Sequence, residues 1–241
     1  MTHELKQIIG AYLNARELSL KSVLATVVAL DGSSYRRPGV RMLILENEQM
    51  IGAVSGGCVE KEVLRQAATV FASGVPKVMS YDGRYRLGCE GILYILIEPF
   101  APDMEALQAF EEAIKSRSHI QISCYFKKEE QQHSGFGSEM FLLNHEHAIN
   151  SKAQIDTSSE VFQQVMEPCL RLIIVGAEHD AVQLCSFASA MGWEVSIIAH
   201  PTEDKSLKDF PGAAELQGVI AEEMNVSNID QQTAVILMTH S

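Results

Sequence analysis

A cysteine set among glycines is the residue of this chain best suited to chemistry. Cys58 follows Ser55, Gly56 and Gly57, where a short apolar run gives way to helical spacing. Such a loop directs backbone N–H groups and the positive end of a helix at one point, which can hold an anion and lowers the pKa of a thiol. The alternative is a tight turn around a small buried cysteine. For Glu60, in the first helical turn, a capping role is slightly preferred over acid–base chemistry.

A second segment, upstream of the first, is rich in hydroxyl and guanidinium groups. It contains three arginines, Arg36, Arg37 and Arg41, preceded by Ser33 and Ser34 and bracketed by two apolar runs. Because arginine presents a planar fork of donors that suits phosphate or carboxylate, this segment predicts an anion site. The alternative is that two of the three arginines are solvated loop residues.

A third segment, residues 84–91, again places a cysteine among glycines and arginines, as Gly88 and Cys89. If it faces the loop that carries Cys58, both thiols line one pocket; a small inert cysteine is again the alternative. Between Asp31 and Gly91 the chain has eight Lys and Arg against seven Asp and Glu, although the whole chain has a net charge of −12. This distribution favours a small anionic ligand over a long polyanion.

Strands and helices must position these three segments. Apolar runs of strand length bracket them, and helical periodicity follows Cys58. The predicted strands of this half span residues 23–30, 42–45, 50–54, 77–81, 92–97, 120–126, 140–143 and 161–166. The predicted helices span residues 4–17, 58–73 and 102–116. We therefore predict a mixed α/β domain over residues 1–167.

Residues 168–241 carry the pattern of a Rossmann-like domain. A continuous apolar run at 170–175, a helix ending at Met191 and a strand at 194–199 form a βαβ unit, and residues 234–238 add a strand. The dinucleotide fingerprint is degenerate, because Glu178 replaces its second glycine and His200 stands where a ribose-binding acid is expected. A carboxylate repels a diphosphate, so NAD(P) is not expected to bind. We expect the doubly wound parallel sheet to be incomplete, since the chain ends after its third recognisable strand.

Composition excludes several partners and sites. The net charge of −12 argues against nucleic acid and against anionic membranes. No apolar run is long enough for a transmembrane helix, and the first residues lack the features of a secretion signal. Five cysteines, scattered at positions 58, 89, 124, 169 and 185, favour a reducing cytoplasm over a disulfide framework or a structural zinc site. Cys124 and Cys185 are expected in the core.

Together the three segments resemble the amino-terminal domain of the xanthine dehydrogenase accessory factor family, also called the XdhC/CoxI family. The matching strings are Ala25-Thr26-Val27-Val28, Gly32-Ser33-Ser34, Arg36-Arg37-Pro38-Gly39, Arg41-Met42, Ser55-Gly56-Gly57-Cys58-Val59-Glu60, Leu87-Gly88-Cys89 and Glu98-Pro99. The resemblance covers residues 20–100 well. It continues more loosely from Pro168, where the family also resembles a Rossmann domain.

The resemblance implies a role in the maturation of molybdenum hydroxylases. Members of the family bind the molybdopterin (molybdenum) cofactor, shelter it while a terminal sulfur is installed, and pass it to the apo-enzyme. It implies as partners an apo-molybdenum hydroxylase of the xanthine dehydrogenase type, a cysteine desulfurase and a second copy of the chain in a dimer. The cofactor-binding residues that it implies are Ser33, Ser34, Arg36, Arg37, Arg41, Ser55, Gly56, Gly57, Cys58, Glu60, Gly88 and Cys89. Cys58 and Cys89 are implied as thiols near the molybdenum, which a soft thiolate suits.

Two other classes of function stay open from the residues. One is an NAD(P)-dependent oxidoreductase that uses the Rossmann-like domain, an idea supported by fold analogy alone. The other is a dimeric scaffold that recognises an apo-hydroxylase and binds no cofactor.

Overall fold

The chain divides into two compact units, unit 1 at Met1–Met166 and unit 2 at Glu167–Ser241. This is seen in a computed structural model that describes residues 1–57, 59–84, 91–224 and 229–239. The strands of unit 1 are β1 (Ser22–Asp31), β2 (Arg41–Leu45), β3 (Met50–Gly52), β4 (Lys77–Asp82), β5 (Ile92–Pro99), β6 (Ile120–Phe126), β7 (Gln131–Gln132), β8 (Gly137–Leu142), β9 (His145–Ala148) and β10 (Glu160–Met166). Its helices are α1 (Thr2–Glu17), α2 (Glu60–Ser73) and α3 (Met104–Lys115).

The strands of unit 1 form two antiparallel sheets. The first sheet has the order β3-β2-β1-β5-β4-β7, and the second has the order β10-β6-β8-β9. Strand β1 is central in the first sheet, and it pairs with β2 on one side and β5 on the other. Paired strands that follow one another in sequence are joined by hairpins, so several strand ends lie at the same end of this sheet.

The first sheet is covered on both faces, which explains why β1 reads as an almost continuous apolar run. On one face Val23, Ala25 and Val27 of β1 join a hydrophobic core with α2. On the other face Leu24 and Val28 join a larger core with α1, α3 and the second sheet. Each fully buried side chain of this size contributes roughly 1.5–3 kcal/mol, so both cores hold the sheet in place.

Unit 2 is a parallel sheet with one helix between its first two strands. Its elements are β11 (Arg171–Val175), α4 (His179–Ala190), β12 (Glu194–Ala199), β13 (Ala213–Gly218) and β14 (Thr233–Leu237), with short 3₁₀ turns at Leu207–Asp209 and Ala221–Glu223. The strand order β13-β12-β11-β14 places the first strand beside the second and the fourth, as in a dinucleotide-binding half-domain. Leu172, Ile174, Val195 and Ile197 form its core together with Phe210.

The predicted fold class, a mixed α/β region followed by a Rossmann-like parallel sheet, is confirmed. Several details differ from the sequence prediction. Strand β13, with the polar sequence Ala-Ala-Glu-Leu-Gln-Gly, was missed because an edge strand that is half exposed lacks an apolar run. The short strands β7 and β9 were likewise missed. Helix α2 spans Glu60–Ser73, whereas the prediction began it at residue 58, and Val63 N–H donates to Val59 O at 2.9 Å.

Candidate functional site

The sheet topology of unit 1 brings the three chemistry-bearing segments to one end of the first sheet. In the register, Arg41 at the start of β2 pairs with Thr26 of β1, and Met42 pairs with Gly52 at the end of β3. At the same end Ile92, the first residue of β5, lies opposite both Asp31 and Asp82, the last residues of β1 and β4. The connections that follow β1, β3 and β4 therefore all leave the sheet at one end, which we call the loop end.

The glycine-rich segment at the loop end is fixed at its base and open at its tip. Val54 and Val59 are buried in the core beneath α2. Gly56 and Gly57 between them are exposed, and a Cβ atom added to either glycine would have no atom of the described residues within 4 Å. Because these two residues bear no side chains, a ligand can approach their backbone closely.

Hydrogen bonds between Ser55, Glu60 and the backbone stabilise this segment. The Glu60 carboxylate, 8% exposed, accepts hydrogen bonds from the Ser55 backbone N–H and from the Ser55 hydroxyl, each at 2.7 Å. The Ser55 Oγ accepts in turn from the N–H groups of Gly57 (3.1 Å) and Val59 (3.3 Å). Burial alone would raise the pKa of Glu60, but hydrogen bonds from Ser55 and from nearby backbone N–H groups lower it below its ordinary value. The ionised Glu60 carboxylate at the start of α2 thus holds Ser55 in place, and its charge is favourable beside the positive end of the helix.

The three arginines of the second segment lie in different surroundings. Arg41 is buried, and its Nη1 donates to Gly39 O at 2.9 Å and to Gln164 Oε1 at 2.6 Å. Arg37 is exposed, and Arg36 is half-buried with an Nε that has no hydrogen-bond partner among the described residues. Ser33 is exposed, while Ser34 is half-buried. Arg36 and Arg37 are therefore the guanidinium groups that an incoming anion can reach, and Arg41 supports the segment from inside.

Gly91 joins the third segment to the second. A Cβ atom at this position would lie 2.6 Å from Ser33 O and 2.9 Å from Asp31 O, so no other residue fits without moving the backbone. The two segments therefore touch at the loop end. Cys58, Gly88 and Cys89 lie outside the described residues, so the prediction that both thiols line one pocket stays a prediction.

Two acidic side chains at the loop end are paired with cations. Asp31 accepts from Lys128 Nζ at 2.7 Å, and this hydrogen bond lowers the pKa of Asp31. Asp82 accepts from Arg84 Nη2, also at 2.7 Å, and the contact lowers the pKa of Asp82 in the same way. Because each of these carboxylates is paired with a cation, it would repel an anion beside Arg36 only weakly.

In unit 2 the corresponding helix start carries acidic groups. Glu178 is the exposed N-cap residue of α4, in an extended conformation, and Asp180 follows in the first turn. This helix end lies after β11, where dinucleotide-binding sheets hold a pyrophosphate. His200 directs Nδ1 to the hydroxyl of Thr202 at 2.7 Å. The expectation that NAD(P) does not bind here stays a prediction, now with two carboxylates as its basis.

The remaining candidates add no further site. Cys124 and Cys185 are buried in cores, as predicted. Across the described residues, no group of three or more His, Cys, Asp or Glu side chains is arranged to hold a metal ion. Nor does any helix in the described part of the chain combine the length and apolar character that crossing a membrane requires. One residue that sequence reasoning missed is Gln164, which contacts Arg41 across 123 residues with no motif to mark it.

Known proteins are similar to both units of the chain. The model of the XdhC and CoxI family matches residues 16–82, and the model of the XdhC Rossmann domain matches residues 172–241. A Bacillus subtilis protein named as a probable xanthine dehydrogenase subunit is 28% identical over 85% of this chain and 67% of its own length. PaoD of Escherichia coli, named a molybdenum cofactor insertion chaperone, is 24% identical over 100% of this chain and 66% of its own length. The chain thus spans about two thirds of the length of both relatives.

A solved structure shares the fold. The crystal structure of a Bacillus halodurans protein named as a xanthine dehydrogenase superposes with a TM-score of 0.76. The match covers 97% of this chain and 75% of that one, at 24% sequence identity. At this identity the likeness concerns architecture alone.

Proposed function

The chain belongs to the XdhC and CoxI family, and from that premise we propose that it binds the molybdenum cofactor and delivers it to an apo-molybdenum hydroxylase. The single observation that supports the proposal is that the connections carrying the three motif segments all leave the first sheet at the loop end of unit 1. Segments that are far apart in sequence but lie at the same end of a sheet can contribute to one binding site. The name of the Escherichia coli relative, a cofactor insertion chaperone, supports the same role.

The residues at the loop end fit a phosphate-bearing ligand. Arg36 and Arg37 would donate to the terminal phosphate of the pterin, and the exposed backbone at Gly56 and Gly57 leaves room for close approach. Ser33 and Ser34 would add hydroxyl donors. Arg41, Ser55 and Glu60 would hold the segments in place from within.

The thiols have a separate proposed role. Cys58 follows Gly57 directly, and Cys89 follows Gly88 in the third segment, so both belong to segments that leave the sheet at the loop end. We assign them to the molybdenum side of the cofactor, because a soft thiolate is a suitable neighbour for that metal. When bound, the cofactor supplies the redox-active metal centre that the client enzyme needs, and this chain shelters it before transfer.

The proposed partners follow from this role. An apo-hydroxylase of the xanthine dehydrogenase type would receive the cofactor, and a cysteine desulfurase would provide its terminal sulfur. We propose that the chain acts as a homodimer. No turnover of its own is required, because binding and release complete the task.

Binding of the cofactor is the direct test. The purified protein is mixed with molybdopterin cofactor, and retained pterin is measured by fluorescence after gel filtration. Retention by the wild type, and its loss in Arg36→Ala and Cys58→Ala, is the expected result. Arg65→Ala is the matched control, since it removes an exposed guanidinium from α2 that pairs with Glu62 on the same helix. No retention by the wild type would overturn the proposal.

The second candidate, an NAD(P)-dependent oxidoreductase, is favoured by the parallel strand order of unit 2. The carboxylates of Glu178 and Asp180 at the start of α4 argue against it, since they would stand beside a bound diphosphate. Titration with NAD(P) separates the two ideas: micromolar affinity would favour the oxidoreductase. If neither NAD(P) nor the cofactor binds, a dimeric scaffold that recognises the client remains.

A further inference from the structure

The arginine-rich segment is held at its base by a contact that joins the two sheets of unit 1. Gln164 lies on β10 in the second sheet, and Arg41 opens β2 in the first sheet. The Gln164 side-chain oxygen accepts from Arg41 Nη1 at 2.6 Å, and the same Nη1 donates to Gly39 O at 2.9 Å. One guanidinium nitrogen therefore ties the second sheet to the backbone just after Pro38.

The contact between Arg41 and Gln164 requires a glycine at position 39. Its φ of +100° favours glycine, and a Cβ atom here would collide with the side-chain amide of Gln164. Its backbone N–H donates to Val27 O at 2.8 Å, which binds the segment to β1. Gly39 is thus hydrogen-bonded to β1 and packed against Gln164 of β10. It lies three residues from Arg36.

Arg41 depends on these acceptors because it is buried. It is 7% exposed, and its Nε and Nη2 have no hydrogen-bond partner among the described residues. Burial lowers the pKa of Arg41, while Cys124 and Glu98 nearby act in the opposite direction. A buried guanidinium that loses one of its few acceptors is costly, so the removal of the Gln164 oxygen favours movement of Arg41 and of the chain around it.

We propose that Gln164 is a positioning residue for the cofactor site: it holds residues 33–38 in the conformation that presents Arg36 and Arg37 to the phosphate. This inference rests on the proposed function, and it identifies Gln164 as a residue of the second sheet that supports the same site. Gln164 acts through Arg41 and Gly39 and does not touch the ligand. Its effect is to reduce the conformational freedom that the segment would lose on binding.

The neighbouring residue on β10 provides a matched control. Gln163 has the same side chain, but successive residues of a strand point to opposite faces, and Gln163 donates to Ser123 Oγ at 3.3 Å. Gln164→Leu removes the acceptor at nearly constant volume, whereas Gln164→Glu keeps an oxygen that accepts from the guanidinium. Gln163→Leu makes the same chemical change on the other face of the sheet.

Two measurements test the inference. Hydrogen exchange of the peptides covering residues 33–41, measured without ligand, is expected to be at least tenfold faster in Gln164→Leu and unchanged in Gln163→Leu and Gln164→Glu. Retention of molybdopterin cofactor is expected to fall about tenfold in Gln164→Leu alone, and Gln164→Glu restores it.

Other outcomes would overturn the inference. Equal exchange and equal retention in Gln164→Leu and the wild type would do so. Faster exchange throughout unit 1 would also do so, because it would mean a general structural role. If Gln164→Leu does not fold, Gln164→Asn, which keeps the amide but shortens its reach, takes its place with the same expected results. A wild type that retains no cofactor would refute the proposed function, while the exchange data would still report on the contact itself.

Discussion

The buried carboxyl group of Glu98 makes the stability of unit 1 depend on pH. Glu98 lies on β5 with 1% of its surface exposed, and it accepts hydrogen bonds from the N–H and the hydroxyl of Ser138 on β8. Burial raises the pKa of Glu98 to about 7, although the hydrogen bonds from Ser138 and the charge of Arg41 act in the opposite direction. The folded protein therefore binds this proton more tightly than the unfolded chain does.

The magnitude follows from linkage. The pKa of Glu98 moves from an ordinary 4.5 to about 7, and each pKa unit corresponds to about 1.4 kcal/mol. Because the folded pKa is raised, the stabilising contribution is fully present below about pH 4.5 and is lost as pH rises through 7. The free energy of unfolding is expected to fall by about 3 kcal/mol over this window through Glu98 alone.

Glu98→Gln isolates this contribution. A glutamine keeps the hydrogen-bonding shape and carries no ionisable group, so the variant is expected to exceed the wild type in unfolding free energy by about 3 kcal/mol near pH 8.5 and by under about 1 kcal/mol at pH 5. Urea unfolding over a pH series measures the difference, with pulsed hydrogen exchange of β5 and β8 peptides to report on unit 1. Trp193, the single tryptophan, reports on unit 2.

A matched variant controls for net charge. Glu17→Gln removes an exposed carboxylate at the end of α1, and its effect is expected to be small at every pH. The difference in unfolding free energy between Glu98→Gln and the wild type should grow from pH 5 to 8.5, about the range in which the group should titrate. A difference that stays constant over this range would refute the reasoning. It would mean that Glu98 keeps the same protonation state in the folded and unfolded chains.

Three further changes test other contacts. Ser55→Ala removes the hydroxyl that donates to Glu60 and accepts from two backbone N–H groups, so urea unfolding should show a loss of about 1–3 kcal/mol. Gly91→Ala forces a Cβ atom against backbone oxygens and should cost about 1–3 kcal/mol, whereas Gly56→Ala meets open space and should change the melting temperature little. Asp103→Ala removes the N-cap acceptor of α3 and should cost about 1 kcal/mol by the same urea assay; no change would argue against the cap.

Local patterns predicted the scaffold of the site well. The apolar runs that bracket each motif are strands, and antiparallel pairing of those strands is what brings the motif segments to one end of the first sheet. Periodicity also predicted helix α1, whose residues Leu5, Ile8, Ile9 and Tyr12 are buried.

Residue roles within the site were harder to predict, because they depend on contacts between distant parts of the chain. The sequence grouped Arg41 with Arg36 and Arg37, yet Arg41 is the first residue of β2 and faces the second sheet, where Gln164 accepts its hydrogen bond. Likewise, no spacing rule reveals that the Glu60 carboxylate returns to Ser55. The Arg41 contact follows from how the two sheets pack and the Glu60 contact from the conformation of one loop, and local sequence patterns reveal neither.

The alternating side chains of β1 have a consequence for release of a bound molecule. Adjacent residues of this strand, such as Leu24 and Ala25, belong to different hydrophobic cores, so neither core can loosen without disturbing the other. The two cores are therefore expected to open together, at a free-energy cost close to that of global denaturation, whereas exposed loops open at lower cost. If the chain has the proposed function, hand-over to a client would proceed by displacement at the exposed loops of the loop end, while both cores stay closed.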